Sequence, residues 1–181
     1  MLTWPDVVTF YNGIYLDNTY EFNPNSSLKV SASLGNHFNE IKSTFGLESL
    51  QIFYPKMEAD KSRILKSLVS NYNWKKENFG FNFGLAYGER APSISEAYGF
   101  YLFNSFDRYD YVGNSDLKNE QSVEGSFAIS YKPSKFKTSL TTSYFHISNY
   151  IIGTPDSSIL PMTIGASGVK IYSALNYATL I

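Results

Sequence analysis

Long stretches of strict two-residue alternation constrain this chain more than any other feature. Between Asn78 and Arg90, Phe79, Phe81, Phe83, Leu85 and Tyr87 fall on one parity. Asn78, Gly80, Asn82, Gly84, Ala86, Gly88 and Arg90 fall on the other. In a β-strand successive side chains point to opposite faces, so this stretch presents an aromatic face and a small or polar face. The same pattern recurs four times. Val8, Phe10, Ile14, Leu16, Tyr20 and Phe22 oppose Thr9, Tyr11, Gly13, Tyr15, Asp17, Thr19 and Glu21. Leu28, Val30, Ala32 and Leu34 oppose Lys29, Ser31, Ser33, Gly35 and His37. Val123, Phe127, Ile129 and Tyr131 oppose Ser122, Glu124, Ser126, Ala128 and Ser130. Val169, Ile171, Leu175 and Tyr177 oppose Lys170, Tyr172, Ala174 and Asn176. Arg63–Trp74 and Lys137–Ile152 are also β-rich, but parity alone leaves their faces open. The expectation is an all-β chain of about seven long strands.

The connections alternate in length. Asn23–Ser26, Lys75–Glu77 and Pro133–Lys135 read as tight polar turns, whereas Asn39–Asp60, Ala91–Asn119 and Gly153–Ser167 are long. Short turns at one end and long loops at the other are the rule in outer-membrane barrels, with the short turns periplasmic. Strands of about 12–15 residues, rising ~3.3 Å each and tilted by about 40°, climb roughly 30–38 Å, enough to cross a bilayer. Tyr20, Phe22, Tyr72, Trp74, Phe79, Tyr131 and Phe136 gather at the short-turn ends. Phe10, Phe38, Tyr87 and Tyr150 gather near the long-loop ends. Aromatic rings favour strands in general, but two bands of them are also what two membrane interfaces select.

Composition adds exclusions. A net charge of −1 gives no electrostatic reason to bind nucleic acid. Without cysteine there is neither a disulfide framework nor a thiolate metal site. Met1–Phe10 shows no basic and apolar leader. Mean hydropathy is slightly negative, −0.22, but averaging over alternating strands hides an apolar face. One helix is expected at Pro92–Gly99, where Ser93 and Glu96 have capping-box spacing and Gly99 follows as a stop.

Two elements resemble the barrel of TonB-dependent outer-membrane receptors. The first is Arg90-Ala91-Pro92-Ser93-Ile94-Ser95-Glu96, similar to an R-x-P-x-x-x-E element that closes a strand. The second runs from Gly113-Asn114-Ser115-Asp116-Leu117-Lys118-Asn119-Glu120 to Gly125, similar to a GNPxLxPE element that opens the next strand. Ser115 and Asn119 stand where the family has prolines. The resemblance implies a segment, residues 1–181, of an antiparallel transmembrane barrel of roughly 22 strands. It places the short helix in an extracellular loop. Neither a plug domain nor a TonB box is recognisable and no leader is visible, so the plug domain and signal peptide are expected to lie outside this chain; an odd strand count, which cannot close an antiparallel bacterial barrel, likewise implies a segment. The implied function is uptake of a scarce ligand (siderophore, metal complex, cobalamin or oligosaccharide) at the outer membrane of a Gram-negative bacterium, without bond chemistry. The implied partners are outer-membrane lipid, a small extracellular ligand, and TonB through the plug region.

The family-motif residues Arg90, Pro92, Glu96, Gly113, Asn114, Leu117 and Glu120 are expected to line the lumen or anchor the loop. Arg90 is expected to pair with a lumen carboxylate such as Glu124. Tyr101, Phe106, Asp107, Tyr109, Asp110 and Tyr111 are candidate ligand-loop residues: aromatic rings there can stack on a ligand or pack on the barrel rim. Asp107, Asp110 and Asp116 lack calcium-loop spacing, and His37 and His146 are isolated, so no metal or cofactor is expected. His146 and Ser148 share a strand face, as in barrel-embedded hydrolases, but no third catalytic member is identifiable. The competing readings are a smaller outer-membrane barrel with an adhesin-like or hydrolase role, and a soluble β-sandwich. The sandwich requires the Phe79–Leu85 face to be buried by protein.

Overall fold

The computed structural model describes residues 4–181; the first three positions of the Met1–Phe10 stretch lie outside it. Among the described residues, nine strands and two helices form in chain order. They are β1 (Val7–Asn23), β2 (Ser26–Ile41), α1 (Thr44–Gln51), β3 (Asp60–Lys76), β4 (Phe79–Arg90), α2 (Ile94–Tyr98), β5 (Leu102–Asn104), β6 (Tyr109–Val112), β7 (Glu120–Tyr131), β8 (Thr138–Asp156) and β9 (Gly168–Leu180). One sheet takes them all, in the order β1-β2-β3-β4-β7-β8-β9-β6-β5. Every pairing is antiparallel except β6 on β9.

Five of the seven long strands are those the alternation predicts, and the other two, β3 and β8, cover the β-rich stretches Arg63–Trp74 and Lys137–Ile152. Register settles the two ambiguous faces. Leu28 lies opposite Tyr72, and Tyr72 opposite Phe83, so β3 presents Ile64, Leu68, Tyr72 and Trp74 on the aromatic side. Ile129 lies opposite Leu140 and Gly125 opposite Tyr144, which places Leu140 and Tyr144 of β8 on that side too. The resulting face is apolar across the sheet and uncovered: Ile14 is 73% exposed, Leu85 51% and Leu140 71%. A soluble sandwich would bury it, and that reading is overturned.

The buried residues lie elsewhere, under the long connections. Ile41, Leu50, Met57, Ala97 and Tyr98 form one cluster, and Tyr101, Val112 and Val169 a second. The strands here have a lipid-type face and a polar face rather than a shared interior, so the apolar core exists only where loops fold back over strand ends.

Three local features depart from the sequence reading. The β3–β4 turn is Glu77-Asn78, with Glu77 at φ 52°; Lys75 and Lys76 continue the strand. The first long connection contains α1, capped by the Ser43 hydroxyl, which accepts from the Gly46 N–H at 3.1 Å. The second contains the β5–β6 hairpin, which depends on β9 for its outer pairing. The expected helix forms as α2 with its capping box complete.

Candidate functional site

The site begins where β4 ends. Strand parity puts Arg90 on the polar face, and β7 starts opposite it, with Glu120 in register. Three residues beyond β4, Ser93 caps α2, and the helix returns Glu96 to the same point. The Arg90 guanidinium therefore lies between two carboxylates. Nη1 donates to Glu96 Oε2 at 2.7 Å, and Nη2 donates to Glu120 Oε2 at 3.1 Å. Nε reaches Glu120 Oε1 at 3.3 Å. Glu96 Oε2 also accepts the Ser93 N–H at 2.7 Å, and Glu120 Oε2 accepts the Ile151 N–H of β8 at 3.1 Å. Arg90 thus pairs with Glu96 and Glu120 rather than Glu124. Glu124 lies four residues down β7, opposite Ala86.

The second motif closes on the first. The Gly113 N–H donates to Gly99 O at 2.7 Å and the Asn114 N–H to Glu96 O at 2.8 Å. A β-carbon on Gly113 would come within 2.5 Å of Gly99 N and 2.6 Å of Tyr98 N, both backbone atoms that cannot give way, so only glycine fits this approach. Asn114 Nδ2 donates to Tyr172 O at 3.2 Å, while its Oδ1 accepts the Asp116 N–H at 2.9 Å. Pro92 and Leu117 are buried. The positions that depart from the family pattern are also used. Ser115 O accepts from Lys61 at 2.7 Å and from Arg63 at 3.1 Å. Asn119 Nδ2 donates to Ile64 O at 2.8 Å. Arg90, Glu96, Gly113, Asn114 and Glu120 thus meet in one node joining β4, α2, β7, β8 and β9.

The six aromatic-loop candidates divide. Asp107 accepts from Lys170 Nζ at 2.7 Å, the Tyr111 hydroxyl at 2.6 Å and the Tyr109 N–H at 3.2 Å. Lys170 Nζ also lies 4.5 Å from the centre of the Tyr109 ring, a cation–π geometry. Asp110 is fully buried, and its Oδ2 accepts the N–H groups of Met162 and Thr163, each at 2.8 Å, which anchors the third long connection. Tyr111 packs on Tyr172 with ring centres 5.2 Å apart, and Tyr101 is buried against Phe53 and Phe100. Phe106 alone stands in solvent, 98% exposed. Asp107, Asp110 and Asp116 do not converge: Asp116 faces Lys61 at 3.9 Å. His146 stacks on Tyr177 on the apolar face, and no hydrogen bond joins it to Ser148 among the described residues. Between the first and second long connections lies a cavity of about 430 Å³, with Lys56, Glu58, Asp60, Lys61, Tyr98 and Asp116 in its walls. Its size suits a small ligand.

Burial pushes the Glu96 carboxyl up, but the hydrogen bonds from Arg90 and Ser93 together outweigh it and hold the group below the usual carboxylate range. Burial likewise raises Asp107, and Lys170, Tyr111 and the Tyr109 N–H together lower it further than burial raises it. A carboxyl depressed in the folded state contributes stability above its unfolded value and loses it as the pH falls through the folded one. The Glu96 contribution is therefore complete above pH 4.5 and is lost in the acid below it. Amide-exchange protection of Gly113 and Asn114 should hold from pH 7 to 5 and fall by pH 3. Constant protection across that range would show that the ion pair does not hold the loop.

No family model matches the sequence, and no curated protein matches it. The fold is similar to the copper transporter OprC, with 14% identity and a TM-score of 0.71 over 96% of this chain. It is also similar to the siderophore receptor PirA from Pseudomonas aeruginosa, at 14% identity and a TM-score of 0.55. A third match is the ferric enterobactin receptor PfeA of that species in complex with enterobactin, at 14% and 0.50. The chain spans 25%, 38% and 32% of those chains, respectively. These are TonB-dependent receptors, and the chain has the fold of a segment of their barrels.

Proposed function

We propose that this chain forms one wall of an outer-membrane uptake receptor in a Gram-negative bacterium. The observation that carries the reading is the two-faced wall: seven long strands expose a continuous apolar face, while the loops at one end fold over the polar side. Backbone groups in lipid must pair, and a closed barrel is the sheet architecture that achieves this. The apolar face is then the lipid face, the polar face lines the lumen, and the long loops face outward. The copper and siderophore receptors that share the fold support a scarce, small ligand as cargo, a siderophore or metal complex first and cobalamin or an oligosaccharide otherwise. Phe106, exposed at the tip of the β5–β6 hairpin, and the cavity beside Tyr98 are the surfaces offered to such a ligand. TonB would act through a plug region rather than through this wall. Transport of this kind makes and breaks no bonds, and the ion-paired motif residues serve to hold the loops.

The test is topological and functional together. Cysteine placed at Phe106 should react with a membrane-impermeant maleimide in intact cells. Cysteine at Lys135 should react only after the outer membrane is opened. Accumulation of radiolabelled ferric siderophore or copper should fall when the inner-membrane proton gradient is collapsed. Equal labelling of both positions in intact cells would sink the proposal.

A further inference from the structure

Two cations converge on one neutral oxygen at the cavity between the first and second long connections. Lys61 Nζ donates to Ser115 O at 2.7 Å, and Arg63 Nη2 donates to the same oxygen at 3.1 Å. Lys61 and Ser115 both line the cavity. The cations come together because they stand two positions apart on β3 and so share a strand face. Register puts Lys61 opposite Asn39, and Arg63 opposite His37, which in turn faces Tyr11. That face is the polar one.

Acceptors are scarce there. Arg63 is only 7% exposed, yet it has no ion-pair partner among the described residues. Its Nη1 meets no acceptor, and neither does Nδ2 of the fully buried Asn39. Asn39 Oδ1 already accepts from the Thr9 hydroxyl at 2.8 Å. A buried guanidinium is costly unless an anion balances it, and a carbonyl oxygen carries only a partial charge. The acids in the cavity walls do not supply that anion. Asp116 stands 3.9 Å from Lys61 with its side chain 80% exposed, and Glu58 and Asp60 are exposed as well. Arg90, by contrast, lies between two carboxylates. A carbonyl can accept from two donors, so anchoring the loop explains the geometry at Ser115. It does not explain a buried cation without a counter-charge.

We propose that Lys61 and Arg63 form a binding site for an oxyanion, a carboxylate or phosphate group carried by a small solute, which displaces Ser115 O from between them. Ser115 lies outside any strand or helix, so its peptide can turn without breaking the sheet. Two cations then share a full charge, and the additional oxygens of a carboxylate or phosphate give idle donors an acceptor. The site is on the polar side of the wall, away from the apolar face, which favours a solute over a lipid headgroup. This deepens the reading of the cavity as a ligand surface and rests on it: anionic cargo is selected over a neutral sugar.

Calorimetric titration of the full chain in neutral detergent tests the site. Citrate and inorganic phosphate are the anionic probes, and glucose is the neutral one. Saturable binding of at least one anion is expected, without binding of glucose. Lys61→Gln should weaken it about tenfold, through loss of one charge-assisted bond. Asp116→Asn removes the acid facing Lys61 and should tighten it about twofold, a gain that a loop anchor does not predict. Amide protection along β3 reports whether Lys61→Gln keeps the fold; if it does not, Asp116→Asn decides. Binding of glucose but of neither anion would keep the cavity as a ligand surface and overturn the anionic class. Binding of none of the three would overturn both. Anion affinity unchanged in the folded variants would overturn the assignment to Lys61 and Arg63.

Discussion

Arg90→Ala should release the second long connection while the strands stay paired. The loss expected at the node is about 2–3 kcal/mol, below the full cost of breaking a buried pair, because the Arg90 side chain is 46% exposed. The carboxylates left behind are less exposed than the guanidinium, at 17% for Glu96 and 15% for Glu120. They would then repel each other in a partly dry site. Since Glu96 also caps α2 and Glu120 also holds β8, one deletion loosens the ties to both elements. The Gly113 and Asn114 amides should exchange about 30–100-fold faster, with little change in the centres of β4 and β7. Arg90→Lys should recover only part of the protection, because an ammonium cannot serve two carboxylates with a planar fork. Unchanged exchange in Arg90→Ala would mean that the backbone contacts of Gly113 suffice and that the ion pairs are incidental.

Part of this node was legible in the sequence. Arg90, Glu96 and Glu120 stand in the two elements that resemble receptor barrels, and Ser93 with Glu96 announces a cap. The choice of partner was less legible. Register pairs Arg90 with the first residue of β7, and that is visible only once the sheet is assembled. The aromatic-loop residues show a stronger limit. Asp107 and Asp110 look like free acids in a ligand loop, but their partners are 63 and 52 residues away in Lys170 and Met162. No local pattern announces contacts at that separation. The fold divides in the same way. β4 reads cleanly because its aromatic face is unbroken from Phe79 to Tyr87. β3 interrupts that face with Lys66 and Ser70, and β8 with Thr138, Thr142, His146 and Ser148. Parity fails there, and neighbouring strands supply the answer. Ser43 followed by Gly46 was the available signal for α1, a short helix that its packing under the loops sustains more than its eight residues could.

Leu85→Arg and Ala86→Arg, one position apart, should differ more than any other adjacent pair on this wall. Leu85 lies midway along β4 on the apolar face, 51% exposed, with Ser70 and Gly125 as its neighbours in register. In water an exposed leucine changed to arginine costs little, within roughly 0.5 kcal/mol. At the midplane of a bilayer the same change costs about 2–4 kcal/mol, because the guanidinium must draw water or headgroups into the hydrocarbon. Ala86 points to the polar face, where Glu124 lies directly opposite and can accept a new cation. The arginine there should be tolerated within about 1 kcal/mol. Denaturant unfolding in lipid vesicles measures both, and the midpoint of Leu85→Arg alone should drop. Because strand side chains alternate with a period of two, a slip of one residue in register would exchange the two results. Two tolerated substitutions would place water against the apolar face, and two damaging ones would place protein or lipid against both. Only a large effect at Leu85 with a small one at Ala86 fits a wall with lipid on one side and a polar lumen on the other.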